Sequence, residues 1–397
     1  MRAFRTIIFW THLVLGCVAG LVILIMSATG ILLAFERQIN NWADTPAVLE
    51  STSGALSPAK LDTILASLSA SGQGTPSEFV VQNSAHAPLT VRYGRERTLF
   101  LNPWTGEIIG QPSESTRAFF SKVEQIHRSL GLGMRNAFGR GATGAANLIF
   151  LFMLVSGLYL WLPAIFNAIS VKKRLWFGRG LHARARNWNW HHVIGIWTAI
   201  PLFFIVLTGV VMSYPWASNL LFTVTGSQPP AFGGRPGFGS ERGGDRPAHA
   251  PVNAVLLQFR SVDDIVQSAK QQVPAWKSIT VEVPAAQDRS VTLSVDKSIG
   301  GQPEQATQFV FNRRSGKVEK VNRFSDNTLG RKLRAWARFT HTGEEFGLIG
   351  QTIGALACLG GVLLVWTGLA MAIRRAVSYI KRPSGSSRER AAPEVSV

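Results

Sequence analysis

The chain has 397 residues, 46% of them hydrophobic, and carries 41 Lys and Arg against 23 Asp and Glu, for a formal charge of +18. The apolar residues gather in four blocks, each about as long as the ~20 residues that span a bilayer, which excludes an ordinary water-soluble globule. The cations flank those blocks and form no basic surface away from them, so the charge answers to membrane topology and anionic lipid, not to nucleic acid.

The first block, 7–35, follows the basic start Met1-Arg2-Ala3-Phe4-Arg5. Its apolar run is much longer than the ~7–15 residues of a signal core, so it reads as an uncleaved helix although Ser27-Ala28-Thr29 loosely imitates a cleavage site. Residues 40–118 read as a small α+β domain, with an amphipathic helix from Pro58 to Leu68 and two strands around a turn at Asn102 to Gly106. The basic amphipathic segment 119–143 carries His127 and leads into the second block, 145–167. The loop 168–189 holds Lys172, Lys173, Arg174, Arg179, Arg184 and Arg186 with no acid among them. The third block, 190–214, opens with Trp190-His191-His192. A second α+β domain, 217–335, includes a Gly/Pro/Arg-rich insertion at 226–251, read as a linker, then a helix from Val262 to Gln272 and a turn at Asn312 to Gly316. Segment 336–348 carries His341, the fourth block covers 349–373, and 374–397 is a tail that begins with Arg374 and Arg375. The distribution of Lys and Arg places both termini and the short loop in the cytoplasm and the two domains outside.

The chain repeats itself. His12 is followed by Gly16 and by Thr29-Gly30, and His191 is followed at the same two spacings by Gly195 and by Thr208-Gly209. Gly139 and Ser156-Gly157 correspond at constant offset to Gly350 and Thr367-Gly368. The expected architecture is a membrane protein of four transmembrane α-helices in two pseudo-symmetric halves, each half carrying a small α+β domain.

Four of the eight histidines occupy equivalent places in the two halves. His12 and His191 lie about one turn inside the cytoplasmic ends of their spans, and His127 and His341 lie at the outer ends of the other two. Two-fold symmetry brings each pair together, and two neutral imidazoles on opposite sides of one iron are what a six-coordinate haem takes. The run from His12 to Thr29 covers roughly 25 Å at ~1.5 Å per residue, so the pairs sit at opposite faces of the membrane. Gly16 and Gly195 lie one turn beyond the inner histidines, Gly30 and Gly209 fall at the outer level, and Gly157 and Gly368 fall at the inner one. Such glycines make room for a flat macrocycle, and equally for close helix packing. His192 points about 100° away from His191 and is either the ligand in its place or a neighbour. His182 reads as a surface residue or part of a donor site, and His86 and His249 as surface residues. Arg5, Arg135, Arg140, Arg334 and Arg338 lie near the two levels, where they can pair with propionates or with lipid headgroups. No Cys-x-x-Cys-His occurs, so a haem here is not covalently attached, and Cys17 and Cys358, in opposite halves of the membrane, read as small apolar residues.

Trp190-His191-His192 opening a span, Thr-Gly inside it, and His341-Thr342-Gly343-Glu344-Glu345-Phe346-Gly347 leading into Gly350-Gln351 together resemble the PepSY-associated transmembrane family. Asn102-Pro103-Trp104-Thr105-Gly106-Glu107 resembles the strand–turn–strand signature of its extracytoplasmic PepSY domains, from which Asn312-Arg313-Arg314-Ser315-Gly316 departs by lacking the Pro and the acid. The resemblance covers nearly the whole chain and implies a bacterial inner-membrane protein with two periplasmic domains and two b-type haems. It implies a reductase that takes electrons from a cytoplasmic or quinone donor and passes them to a ferric siderophore or other ferric chelate. Carried over by position, the ligands are His12, His191, His127 and His341, with His192 the alternative at the inner level. The expected substrate site is the cleft between the two outer domains. No Gly-x-Gly-x-x-Gly lies between a strand and a helix, so the electrons come from a separate protein or quinone. An anchored binding or regulatory protein is the competing class. A transporter ranks below both, because the spans carry no charged residue at mid-depth.

Overall fold

The computed structural model describes residues 2–44, 59–84, 86–94, 97–163, 167–229, 259–285, 287–298 and 300–380. The expected insertion at 226–251 lies outside these from residue 230 on, as do His249 and the tail from residue 381.

Four helices are long and apolar enough to cross a membrane, Ala3–Leu33, Ala137–Trp161, Ala183–Ser213 and Glu344–Ile380. In chain order the first half comprises α1 (Arg2–Leu33), α2 (Glu36–Asp44), α3 (Leu61–Ala70), strands β1 (Glu78–Gln82), β2 (Leu89–Tyr93), β3 (Arg97–Leu101) and β4 (Ile108–Gly110), then α4 (Glu114–Ser129) and the span α5 (Ala137–Trp161). After α6 (Ala168–Leu175) the second half repeats the order. It has α7 (Ala183–Ser213), α8 (Pro215–Val224), α9 (Val262–Gln272), β5 (Ser278–Glu282), β6 (Ser290–Asp296), β7 (Ala306–Asn312), β8 (Val318–Arg323), α10 (Leu329–Thr342) and α11 (Gly347–Ile380).

The helices begin ahead of the apolar blocks that announced them, and α1, α5 and α7 end before those blocks do. α5 starts eight residues ahead of the expected 145, where Asn136 caps it by accepting from the Gly139 amide at 2.8 Å. Hydropathy marks where lipid lies, whereas backbone hydrogen bonding carries the helix on into the interface. In the bundle α1 packs on α5 and α11, and α7 packs on the same two, so equivalent spans stand diagonally. Small residues set these contacts: a Cβ on Gly360 would meet Thr198 at 2.5 Å, and one on Gly361 would meet Ser27 at 2.9 Å.

The eight strands form one antiparallel sheet in the order β4-β3-β2-β1-β5-β6-β7-β8. This differs from the expected pair of separate domains. β1 and β5 pair along their whole length, from Glu78 opposite Glu282 to Gln82 opposite Ser278. Each would otherwise be an exposed edge, and joining them satisfies both rows of backbone groups. One core runs across the seam, with Phe79, Val91 and Leu101 from the first half beside Ile279, Val281, Leu293 and Phe311 from the second. Over it lie Ile64 and Leu68 of α3 and Ile265 and Ala269 of α9. The two helices cap each other: the Leu61 amide donates to Asp263 at 3.0 Å and the Val262 amide donates to Asp62 at 2.9 Å. Backbone pairing and this shared core close the seam within the sheet. The two repeat turns share one geometry, Asn102 and Asn312 each accepting from the amides two and three residues on, with Gly106 (φ 76°) and Gly316 (φ 70°) in the left-handed region.

Candidate functional site

Each of the four repeated histidines is held by a Ser/Thr-Gly pair on a neighbouring helix. His12 Nδ1 lies 2.8 Å from Ser156 Oγ, and His191 Nδ1 lies 2.9 Å from Thr367 Oγ1. At the other level His127 Nδ1 lies 2.9 Å from Thr29 Oγ1. His341 Nδ1 donates to the Ile205 carbonyl at 2.8 Å, with Thr208 Oγ1 at 3.4 Å. The glycine after each hydroxyl leaves space for the ring edge. A Cβ on Gly157, Gly368, Gly30 or Gly209 would come within 3.1–3.7 Å of the Cε1 of His12, His191, His127 or His341 respectively.

The hydroxyls also decide where each ring proton sits. Each donates its one proton to a carbonyl of its own helix: Thr29 to Ile25 at 2.7 Å, Thr208 to Phe204 at 2.6 Å, Thr367 to Leu363 at 2.7 Å and Ser156 to Met153 at 3.2 Å. The oxygen is then left to accept, so the imidazole carries its proton on Nδ1 and keeps a lone pair on Nε2. For His341 the argument is stricter, since a carbonyl can only accept. Among the described residues none of the four Nε2 atoms has a hydrogen-bond partner, so each remains available as a donor to a metal.

His127 of α4 and His341 of α10 have ring centres 6.3 Å apart and planes inclined at 66°. Two imidazoles on opposite sides of one metal, each nitrogen ~2 Å from it, have centres roughly 6 Å apart. Burial, with His341 beside it, lowers the His127 pKa to about 4, and burial lowers that of His341. Both rings are therefore neutral near neutral pH.

At the other end of the bundle His12, His191 and His192 line a cavity of about 990 Å³, large enough for a macrocycle. Gly16, Gly20 and Gly195 form part of its wall, and a Cβ on Gly16 would press on Met153 Cε at 3.0 Å. Arg184, Arg374 and Arg375 also line it. Arg5 lines it too, but caps α5 by donating to the Leu160 and Leu162 carbonyls at 2.8 and 2.9 Å. His192 stacks on Trp188 with centres 4.1 Å apart and bonds through Nδ1 to the Trp188 carbonyl at 2.8 Å. It has no Ser/Thr-Gly partner, and Leu13 stands at its equivalent place, so the repeated geometry belongs to His191.

Arg140 and Arg338 are exposed, and neither bonds to the outer histidines. His182 occupies the N-cap position of α7 and His86 is exposed. The four hydroxyls are functional candidates that the sequence reading left without a role; their constant spacing was the available signal. Asn147 and Cys358 were also missed. They occupy equivalent positions and pack on Gly209 and Gly30 beside the outer rings.

Among the described residues no group of three or more His, Cys, Asp or Glu could hold a bare metal ion. At the inner level a macrocycle-sized cavity beside His12 and His191, and at the outer level two imidazoles 6.3 Å apart, suit instead a metal whose remaining ligands come with it. The residues present are compatible with haem, which His12 with His191 and His127 with His341 would hold. The sequence matches the PepSY-associated TM region over residues 9–375, and the chain belongs to that family. No curated protein matches it.

Proposed function

We propose that the protein is a di-haem electron carrier of the bacterial inner membrane that reduces a ferric chelate on the periplasmic side. The observation that supports it is the fourfold recurrence of one arrangement, in which an oxygen of a neighbouring helix (a hydroxyl for three rings, the Ile205 carbonyl for His341) holds Nδ1 and a glycine clears the ring edge. Structural histidines have no need of a common tautomer at two levels of a membrane. When bound, the macrocycles supply one-electron chemistry. The chain's own residues hold them, orient the imidazoles and keep water from the path between the levels. By the distribution of Lys and Arg, both termini face the cytoplasm and the sheet faces the periplasm. His12 and His191 would hold the group nearer a cytoplasmic or quinone donor, and His127 and His341 the group nearer the ferric chelate. Together the two groups would supply the one-electron path by which Fe(III) is reduced to Fe(II), which the chelate holds less tightly.

The test is an oxidised-minus-reduced visible spectrum of purified protein with haem counted per chain. Two low-spin b-type haems are expected, one lost with His12→Ala or His191→Ala and the other with His127→Ala or His341→Ala. His192→Ala is expected to keep both. Protein free of haem from haem-replete cells would overturn the proposal in favour of an anchored binding or regulatory protein.

A further inference from the structure

The two halves differ at the approach to the outer histidines. Aligned on His127 and His341, Arg117, Phe120 and Glu124 of α4 correspond to Arg331, Arg334 and Arg338 of α10. At those α4 positions both charges are answered: Arg117 pairs with Asp44, and Glu124 pairs with Arg128 at 2.7 Å. Phe120 is 2% exposed. On the α10 side three guanidiniums stand in one stripe with His341, within roughly 80° of the helix circumference at ~100° per residue. Among the described residues none of the three makes a hydrogen bond or ion pair. The nearest acid beyond His341, Glu344, is taken by Arg37 at 2.9 Å.

Three cations one turn apart repel one another, and with no protein counter-charge they favour an anion from outside the chain. Arg334 is half-buried, and its pKa is lowered by that burial and by Arg338. The stripe from Arg331 to Arg338 is roughly 10 Å long at ~1.5 Å per residue, more than one carboxylate occupies. It ends one turn from His341.

Resting on the proposed function, we infer that Arg331, Arg334 and Arg338 dock an anionic, multi-carboxylate chelate beside the outer histidine pair. The substrate site is then the α10 side of the outer level and not a cleft between two domains, and the acceptor class excludes cationic chelates. Arginine suits the role because its planar fork binds carboxylates in pairs.

Carboxylates can reach the stripe from two sources, an incoming chelate or the side groups of a macrocycle held at the outer pair. The experiment separates them by measuring binding of gallium(III) citrate, which cannot be reduced under these conditions, to the full chain in phosphatidylcholine nanodiscs. Haem per chain is measured on the same samples. R331Q/R334Q and R331Q/R334Q/R338Q are expected to weaken binding at least about tenfold with unchanged haem content, and binding to the unmodified chain is expected to fall as salt rises. A gallium trihydroxamate bearing a free ammonium is expected not to bind. Unchanged citrate binding in the variants, or equal binding of the cationic chelate, would overturn the inference. Loss of haem with citrate binding intact would also overturn it and assign the stripe to the macrocycle. Because gallium takes no electron, citrate binding that depends on the arginines in protein without haem would uphold the docking site while sinking the electron-transfer reading.

Discussion

Of the four hydroxyls beside the histidines, the one at His12 belongs to a serine and the other three to threonines. Among the described residues Ser156 is the sole hydrogen-bond partner of the His12 ring, so Ser156→Ala leaves a ring N–H without an acceptor at a cost of ~1–3 kcal/mol. Ser156→Thr keeps the hydroxyl in the form used elsewhere and is expected to restore the loss. Thermal unfolding of the three proteins checks both, and on the haem reading only the alanine variant alters the inner spectrum. Glu36, just past the first span, gives a prediction of opposite sense. Burial first, then Glu124 and Glu344, raise its pKa above the ordinary 4.5, although Arg117 and Arg37 oppose them. Its ionised form is thus less favoured in the fold than in the unfolded chain. Glu36→Gln is expected to raise the melting temperature near neutral pH. The gain should shrink as pH falls through the raised pKa towards 4.5 and vanish below it, where the carboxyl is protonated in both states.

At the scale of elements, the outer histidines depend on how α4 and α10 meet the spans that follow them. A Cβ on Gly139 would lie 2.2 Å from the Ser129 carbonyl oxygen, and one on Gly350 would lie 2.4 Å from that of Gly343. Backbone cannot yield as a side chain can, so Gly139→Ala and Gly350→Ala are expected to displace α4 and α10 and disturb the outer pair alone. Spectra that lose the outer signal and retain the inner one would bear this out; equal loss of both would contradict it. The equivalence of these two glycines is readable from the repeat. That the obstruction is a carbonyl oxygen, and in which preceding turn, follows only from the packing.

Across the whole molecule the halves are joined at the β1–β5 seam and by the exchange of caps between Asp62 and Asp263. Each aspartate supplies acceptors for the other helix, so Asp62→Ala and Asp263→Ala are each expected to cost ~1 kcal/mol. The two costs should couple in the double variant, because the caps meet at one interface. Unfolding of the full chain followed by a probe on the sheet measures this, and strictly additive losses would argue against a shared junction. The sheet also bears on access. Backbone pairing and one shared core close the seam, so the flank on the α10 side, with its arginine stripe, is the approach to the outer histidines that the inference assigns.

The sequence by itself determined the four spans, the constant spacing of the four histidines, the two Asn-to-Gly turns and the span of α9. These are set by hydropathy, period and fixed spacing, all of which are local and survive without knowing what lies opposite. Only the tertiary structure decided that two four-stranded units merge into one sheet. Any edge strand offers the same unpaired groups, and nothing within β1 or β5 names a partner two hundred residues away. It alone placed His191, and not His192, on a Ser/Thr-Gly pair, since adjacent residues differ only in direction until a neighbouring helix fixes which side faces Thr367. It alone assigned the ring protons as well, because a tautomer is set by whatever atom the fold brings to Nδ1.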